Sequence, residues 1–260
     1  MHQANSIQNS QSSWRLIPLL QTSGQLQMAI DRWLLEQHQA GKQPSVLRFY
    51  TWASPTISLG YHQHHWPACW QQLTWEEKPV ELVRRPTGGR AVLHQGDLTY
   101  MVVTSGLTGR RKDIYQTLCE FLMEGWRTLG IPLHYGSAGR DYARNPNCFG
   151  TATSADLLSI EGNKLIGSAQ LKRGTTILQH GSMRLSRETE LFTQIFGEPV
   201  PPFVKLGIQQ EGDALIQAVV DALTKAACRC FGIELVTQPL SEAEWQEIRA
   251  LPPLPIDHEP

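Results

Sequence analysis

The chain has 260 residues, enough to bury the core of one large domain, and its 23 basic residues nearly cancel 24 acidic ones, so no global field draws in nucleic acid or an anionic membrane. Its five cysteines, at 69, 119, 148, 228 and 230, have no metal-ligand spacing, and their odd number argues against a disulfide framework and for a reducing compartment. Residues 1–13 are rich in Gln, Ser and Asn without the order of a secretory signal, and no apolar run reaches the roughly 18 residues of a membrane span, so a soluble cytoplasmic protein is expected.

Apolar Leu26, Ile30, Trp33 and Leu34 recur at helical spacing and predict a one-sided helix over residues 25–37, ended by Gly41. Residues 46–52 (VLRFYTW) and 56–61 (TISLGY) read as strands separated by Ser54-Pro55. A third follows at Val80–Arg84, then a glycine turn and short strands at Ala91–His94 and Leu98–Thr104. Asp113 is placed to cap a helix whose apolar Ile114, Leu118, Leu122 and Leu129 follow one face. Further on, Asp156–Ile160 and Lys164–Lys172 form a predicted hairpin around Glu161-Gly162-Asn163, and Thr175–Leu185 supplies a strand pair or one extended strand.

Helical patterns then dominate, at Glu188–Phe196, Asp213–Phe231 and Ser241–Ala250, the last opening with Ser241 and Glu244 in capping-box spacing. Strands mostly precede helices, which favours an α+β fold with a mixed β-sheet flanked by helices over an alternating parallel one. No linker divides the chain, so residues 1–260 are expected to form a single domain. Residues 1–13 and 252–260, the latter containing Pro252-Pro253-Leu254-Pro255, are expected as flexible or extended tails.

Cys148 lies in Asn145-Pro146-Asn147-Cys148-Phe149-Gly150, a turn composition unlike the helix or strand setting of a structural cysteine. A thiol there is either inert or a nucleophile. Sixteen residues on, Lys164 opens the run KLIGSAQ; it is either a solvent-exposed hairpin lysine or an amine acting beside the thiol. Gly167, Ser168 and Ala169 leave room for a substrate next to the strand. If Lys164 is exposed, truncating it costs less than about 1 kcal/mol of stability.

Residues 84–100, RRPTGGRAVLHQGDLTY, set Gly88-Gly89 among Arg84, Arg85 and Arg90. This is either an ordinary turn with charged flanks or a cradle whose amides and guanidiniums receive a phosphate or carboxylate. The lysine and hydroxyl of a P-loop are missing after the second glycine, and there is no dinucleotide fingerprint. Asp97 pairs with an arginine of this segment or closes a turn with Gly96. His62, His64 and His65 cluster without a carboxylate or cysteine at matching spacing, so no metal site is assigned. Cys69, Cys119, Cys228 and Cys230 read as packing residues.

Taken in order, Arg84–Tyr100, Asn145–Phe149, Lys164–Gln170 and Gln179-His180-Gly181-Ser182 resemble the motifs of the lipoate-protein ligase and octanoyltransferase superfamily, over roughly residues 25–235. Within it the chain is most similar to the LipM-type octanoyltransferases. The resemblance implies a mixed sheet flanked by helices, related to the catalytic domain of biotin ligases and class II synthetase-like. It further implies Cys148 as the acyl-accepting nucleophile and Lys164 in the same pocket, facing the thioester. Arg85, Gly88, Gly89, Arg90 and His94 would line the acyl and pantetheine side, Gly167, Ser168 and Ala169 would flank the substrate, and His180 and Gly181 would complete the wall.

Arg90 stands where the ligases of this superfamily commonly have a third glycine and the LipM-type enzymes have arginine, and little sequence follows Phe231 where ligases often carry a further domain. The resemblance therefore implies transfer of octanoyl from acyl carrier protein, through a Cys148 thioester, to a lysine of a lipoyl domain. Acceptors would be the glycine cleavage H protein or a dehydrogenase E2 subunit, with no cofactor and no nucleic-acid or membrane partner. Exchange between thioesters is nearly balanced and amide formation from a thioester is downhill, so no nucleotide is required. Lys164 as ammonium would stabilise the Cys148 thiolate, then serve as acid toward the leaving thiol and base toward the incoming amine. The rivals are a lipoate-protein ligase using ATP and Mg, an amidotransferase moving octanoyl or lipoyl between lipoyl domains, and a noncatalytic protein binding acyl carrier or lipoyl domains.

Overall fold

The apolar periodicities of the sequence are realised in a computed structural model that describes residues 12–136, 156–186 and 190–256. In chain order the elements are β1 (Ser12–Thr22), α1 (Gly24–Gln39), β2 (Val46–Trp52), β3 (Thr56–Leu59), a 3-10 turn (Ala68–Gln72), β4 (Thr74–Trp75), β5 (Lys78–Pro79), β6 (Glu81–Arg84), β7 (Val92–His94) and β8 (Leu98–Ser105). They continue with α2 (Arg111–Thr128), β9 (Leu133–Tyr135), β10 (Asp156–Ser159), β11 (Lys164–Arg173), β12 (Thr176–Met183), α3 (Glu190–Phe196), α4 (Gly212–Phe231), β13 (Ile233–Thr237) and α5 (Glu242–Ala250).

Strict alternation along β2 and β8 builds two cores from one sheet. Leu47, Phe49, Tyr100 and Val102 face α2 and α4, where they meet Leu118, Phe121, Leu122, Val219 and Leu223. Val46, Tyr50, Met101 and Val103 face the other way, onto Ile30, Trp33 and Leu34 of α1 and Ile248 of α5. The sheet runs β13-β1-β2-β8-β12-β11-β10-β9. Its β1 is parallel to both neighbours and the other pairings are antiparallel, so the sheet is mixed, as expected. A second sheet, β6-β3-β7, lies apart from it. Among the described residues no helix is long and apolar enough to cross a membrane.

Most predicted elements are present, with local differences. Thr175–Leu185 yields one strand, and α2 is capped at Arg110, with Asp113 in the third helical position accepting the Arg110 amide at 3.3 Å. β1, β9 and β13 did not stand out in the sequence. In β1, Pro18 interrupts the run and lies where the pairing register with β2 shifts between Ile17 and Leu20, a position that tolerates the missing N–H.

The described parts of the expected tails have partners in the fold. Ser12 and Ser13 pair with Ile233 and Glu234, and the segment after α5 lies along α1 and β6, with Arg84 Nε donating to the Pro255 carbonyl at 2.7 Å. The α5 helix is latched by Arg15, which donates to both Glu244 oxygens at 2.7 and 2.8 Å and to the Gln238 and Pro239 carbonyls. Trp33 Nε1 donates to Glu247.

The Arg15 hydrogen bonds, helped by the Ser241 amide and opposed by partial burial, hold the Glu244 carboxyl down to about 2. A carboxyl depressed on folding contributes stability that is complete above its unfolded value and fades as pH falls through its folded one. Glu244→Gln is expected to lower unfolding stability at pH 7 by about 2 kcal/mol. In urea titrations at successive pH values the gap to wild type should close between about pH 4 and 2; a gap independent of pH would show that the ion pair is not its origin.

Candidate functional site

The site is laid out by strand register. Tyr50, Thr99, Ser182, Gly167 and Asp156 sit directly opposite one another in a row across β2, β8, β12, β11 and β10. Two residues along, Arg48, Met101, His180 and Ala169 form a second row, and the two-residue repeat puts both on the α1 side of the sheet. With strands roughly 4.8 Å apart, the first row is roughly 19 Å long. Over this floor the small sheet and its turn bring Ser58, Arg85, Gly89, Val92 and His94, and α1 brings Met28, enclosing a slot-like cavity of about 70 Å³. Asp156 marks one end of the slot; Tyr50 and Trp52, on β2, mark the other.

Lys164 and Asp156 form an ion pair at the Asp156 end. Lys164 Nζ lies 2.8 Å from Asp156 Oδ1, and both are buried, at 7% and 2% exposure. The reading of Lys164 as a solvent-exposed hairpin residue is therefore wrong, and so is the small stability cost that went with it. Gly167 makes the arrangement possible. A Cβ there would lie 3.0 Å from Lys164 Cε and 3.2 Å from Nζ, so the absent side chain is the space through which the lysine folds back toward Asp156. Asp156 was not singled out in the sequence; the only available signal was a carboxylate and an amine opening the two strands of one predicted hairpin.

Two buried histidines hold the rest of the walls. His94 Nδ1 lies 2.8 Å from Asp97 Oδ2 and its Nε2 lies 2.8 Å from Ser58 Oγ, with the ring stacked on Trp52 at 3.8 Å. A carboxylate only accepts, so Nδ1 carries the hydrogen, and the same Asp97 oxygen also accepts from Ser182 and Thr99. Asp97 thus pairs with a histidine and not with an arginine. His180 donates from Nδ1 to Asp31 Oδ2 at 2.8 Å, and its Nε2 meets Thr87 Oγ1 at 2.6 Å. Burial pushes the His180 imidazole below its ordinary value against the opposing pull of Asp31, so the ring is neutral and Nε2 accepts from Thr87.

The arginines of the glycine segment have tasks inside the protein. Arg85 donates to the carbonyls of Ser58, Gly88 and Arg90, clamping the turn while lining the cavity. Arg84 donates to the carbonyls of Gly60, Tyr61, Gln63 and Pro255. Gly89 has φ +102° and a Cβ on Gly60 would fall 1.8 Å from the Gly89 carbonyl oxygen, so β3 and the turn touch backbone to backbone.

Of the expected site residues, the slot gathers Arg85, Gly89, His94, Gly167, Ser168, Ala169, His180 and Gly181. Gly88 lines an adjoining open groove that continues from Gly89, Ser168 and Ala169 past Tyr61 to Arg111 and Arg173. Arg90 contributes its carbonyl to the Arg85 clamp and lines neither. Ser168 Oγ accepts from Tyr100 OH at 2.8 Å.

Cys148 lies outside the described residues. Of the other cysteines, Cys119 is buried, and burial pushes its thiol up to about 12. Cys228 and Cys230 are half-buried in α4, whereas Cys69 is exposed and is not a packing residue. Among the described residues no cluster of His, Cys, Asp and Glu is placed to hold a metal ion.

The model of the lipoyl protein ligase A/B catalytic domain matches residues 23–237. The chain belongs to this family. It is 33% identical over 269 residues to an octanoyltransferase LipM of Moorella thermoacetica, across 92% of this chain and 94% of that one. It is 38% identical over 187 residues to octanoyltransferase LipM of Carboxydothermus hydrogenoformans, across 68% and 67%. Its fold is similar to that of a lipoate-protein ligase A bound with ATP, with a TM-score of 0.73 at 22% identity over 91% of this chain and 93% of that one.

This lipoyl protein ligase A/B domain offers two stability tests. Removing one partner of a buried ion pair costs about 3–5 kcal/mol, so Lys164→Ala should lose about 3 kcal/mol, and the double variant with Asp156→Ala should lose clearly less than the sum of the singles. Additive losses in denaturant melts would mean that the pair is not coupled. A Cβ on Gly88 meets nothing within 4 Å, so Gly88→Ala should melt within about 1 kcal/mol of wild type. Gly60→Ala should fail to fold or lose several times more; equal melts for the two would contradict the backbone contact.

Proposed function

We propose that this chain is an octanoyltransferase of lipoate biosynthesis that moves an octanoyl group from an acyl carrier protein onto Cys148 and then to a lysine of a lipoyl domain. The observation that carries the reading is the buried Lys164–Asp156 pair, whose Asp156 lines one end of a slot that runs to Tyr50 and Trp52 on β2. A charged head beside an apolar channel suits a thioester carbonyl with a medium acyl tail. The two LipM octanoyltransferases similar to this chain, one of them along nearly its whole length, support the same reaction.

In the first half-reaction the Cys148 thiolate attacks the carrier thioester, the carbon–sulfur bond to pantetheine breaks, and the departing thiolate takes a proton from Lys164. In the second, the acceptor lysine amine attacks the Cys148 thioester, loses a proton to the neutral Lys164 amine, and frees the cysteine thiolate. Asp156 keeps the Lys164 nitrogen at a fixed position through both steps. No nucleotide enters. The groove past Gly88 to Arg111 and Arg173 is the natural path for the pantetheine arm, since two cationic side chains and, among the described residues, no carboxylate line it. The acceptor is the glycine cleavage H protein or a dehydrogenase E2 lipoyl domain, and the setting is the cytoplasm.

Enzyme treated with apyrase and mixed with octanoyl carrier protein, without acceptor, is expected to gain the mass of one octanoyl group. Peptide mapping should place it on Cys148, neutral hydroxylamine should remove it, and a lipoyl domain should discharge it. The exposed Cys69 and the half-buried Cys228 and Cys230 are internal controls. Labelling of one of these, full turnover by Cys148→Ala, or transfer that needs ATP and free octanoate would overturn the reading.

A further inference from the structure

We propose that Met28 is the stop that sets the length of the acyl chain, an inference that rests on the acyl-transfer reading above. Met28 is buried on α1, at 7% exposure, lines the slot and belongs to the same apolar cluster as Tyr50 and Trp52. It also lines a second cavity, of about 180 Å³, between α1, β6 and the segment after α5. No other residue is common to the two linings, so the methionine side chain is the septum between them.

The second cavity is lined by Ala29, Val83, Ile248, Leu251 and Leu254 together with Gln25, Arg32, Arg84 and Arg249, so apolar surface is available there beside polar side chains. At about 180 Å³ against about 70 Å³ it is the roomier of the two, and joined to the slot it adds space for further methylenes. An acyl group whose tail runs along the slot toward α1 ends against Met28. The neighbouring walls cannot yield in the same way. Tyr50 is fixed through its hydroxyl to Asp31 and Trp52 through its indole N–H to Thr99. Methionine, unbranched with three rotatable bonds, fills the gap without a polar anchor.

Cutting Met28 back to Cβ should join the cavities. Each buried methylene is worth a factor of about four, so Met28→Ala should raise the ratio of dodecanoyl to octanoyl carrier kcat/KM at least about tenfold over wild type. Adding Ala29→Leu refills the second cavity from behind and should restore the octanoyl preference. Calorimetric binding of octanoate and dodecanoate to the full-length chain gives the same comparison without turnover, with thermal melts checking the fold. If Met28→Ala does not fold, Met28→Val carries the test with decanoyl in place of dodecanoyl.

A folded variant whose chain-length ratio equals that of wild type, in transfer and in binding, overturns the role of Met28 and leaves the transfer reading intact. A wild type that binds octanoate yet transfers none overturns the transfer reading, and the binding ratios then decide on Met28 alone.

Discussion

The carboxylate of Asp31 is buried completely in the middle of the protein, and the site is arranged around satisfying it. Arg48 Nε lies 3.1 Å from Oδ1, and Oδ2 accepts from Tyr50 OH at 3.0 Å and from His180 Nδ1 at 2.8 Å. A carboxylate at that depth without partners would cost several kcal/mol, so α1 docks only where β2 and β12 present these three groups together. The constraint passes outward. With its Nδ1 hydrogen committed to Asp31, His180 has Nε2 left to accept from Thr87, and Thr87 lies just before the Gly88-Gly89 turn that Arg85 clamps. A helix charge is thereby connected to the roof of the slot through one imidazole.

The walls are therefore rigid for reasons unrelated to ligand binding. Arg48 also donates to Gln27 and sits 4.0 Å over the Tyr50 ring, while His94 is held by Asp97, Ser58 and Trp52. Side chains whose hydrogen bonds are already made inside the fold do not reorganise when a substrate enters, which is the condition for preorganised geometry. Arg84 and Arg85 direct their charge to backbone carbonyls, and Arg111, which lines the outer groove with Arg173, likewise donates to the Gln170 carbonyl at 2.8 Å.

The sequence showed the helices, the 156–172 hairpin and the small-residue strand, because each is a local pattern of apolar spacing, caps and turn residues. Motif order also brought Arg85, Gly89, His94, Gly167 and His180 to one place. Contacts made across long separations were not legible. Arg15 meets Glu244 from 229 positions away, and nothing near Pro18 marks its run as an inner strand of a sheet. Asp31 and Gln27 were not singled out in the sequence, yet both are fully buried and bind the helix to the sheet. Arg84 and Arg85 misled in the opposite sense, since composition displays their charge and hides their partners. A polar residue flanked on a helix by Ile30 and Leu34 is the one signal that could have pointed to Asp31.

The fold alone does not choose between ligation and transfer, because a ligase with bound ATP shares it. The energetic difference lies in the acyl donor. A free acid must be activated, whereas a thioester already carries the needed free energy and passes it to a second thioester almost without loss. On the proposed route the protein has only to align a thiol, an amine and a carbonyl, and alignment can supply about 7–11 kcal/mol of a barrier. The register row from Asp156 to Tyr50 fixes the floor of the slot with backbone hydrogen bonds, so the place of the Lys164–Asp156 pair relative to Tyr50 is set by strand pairing rather than by flexible side chains.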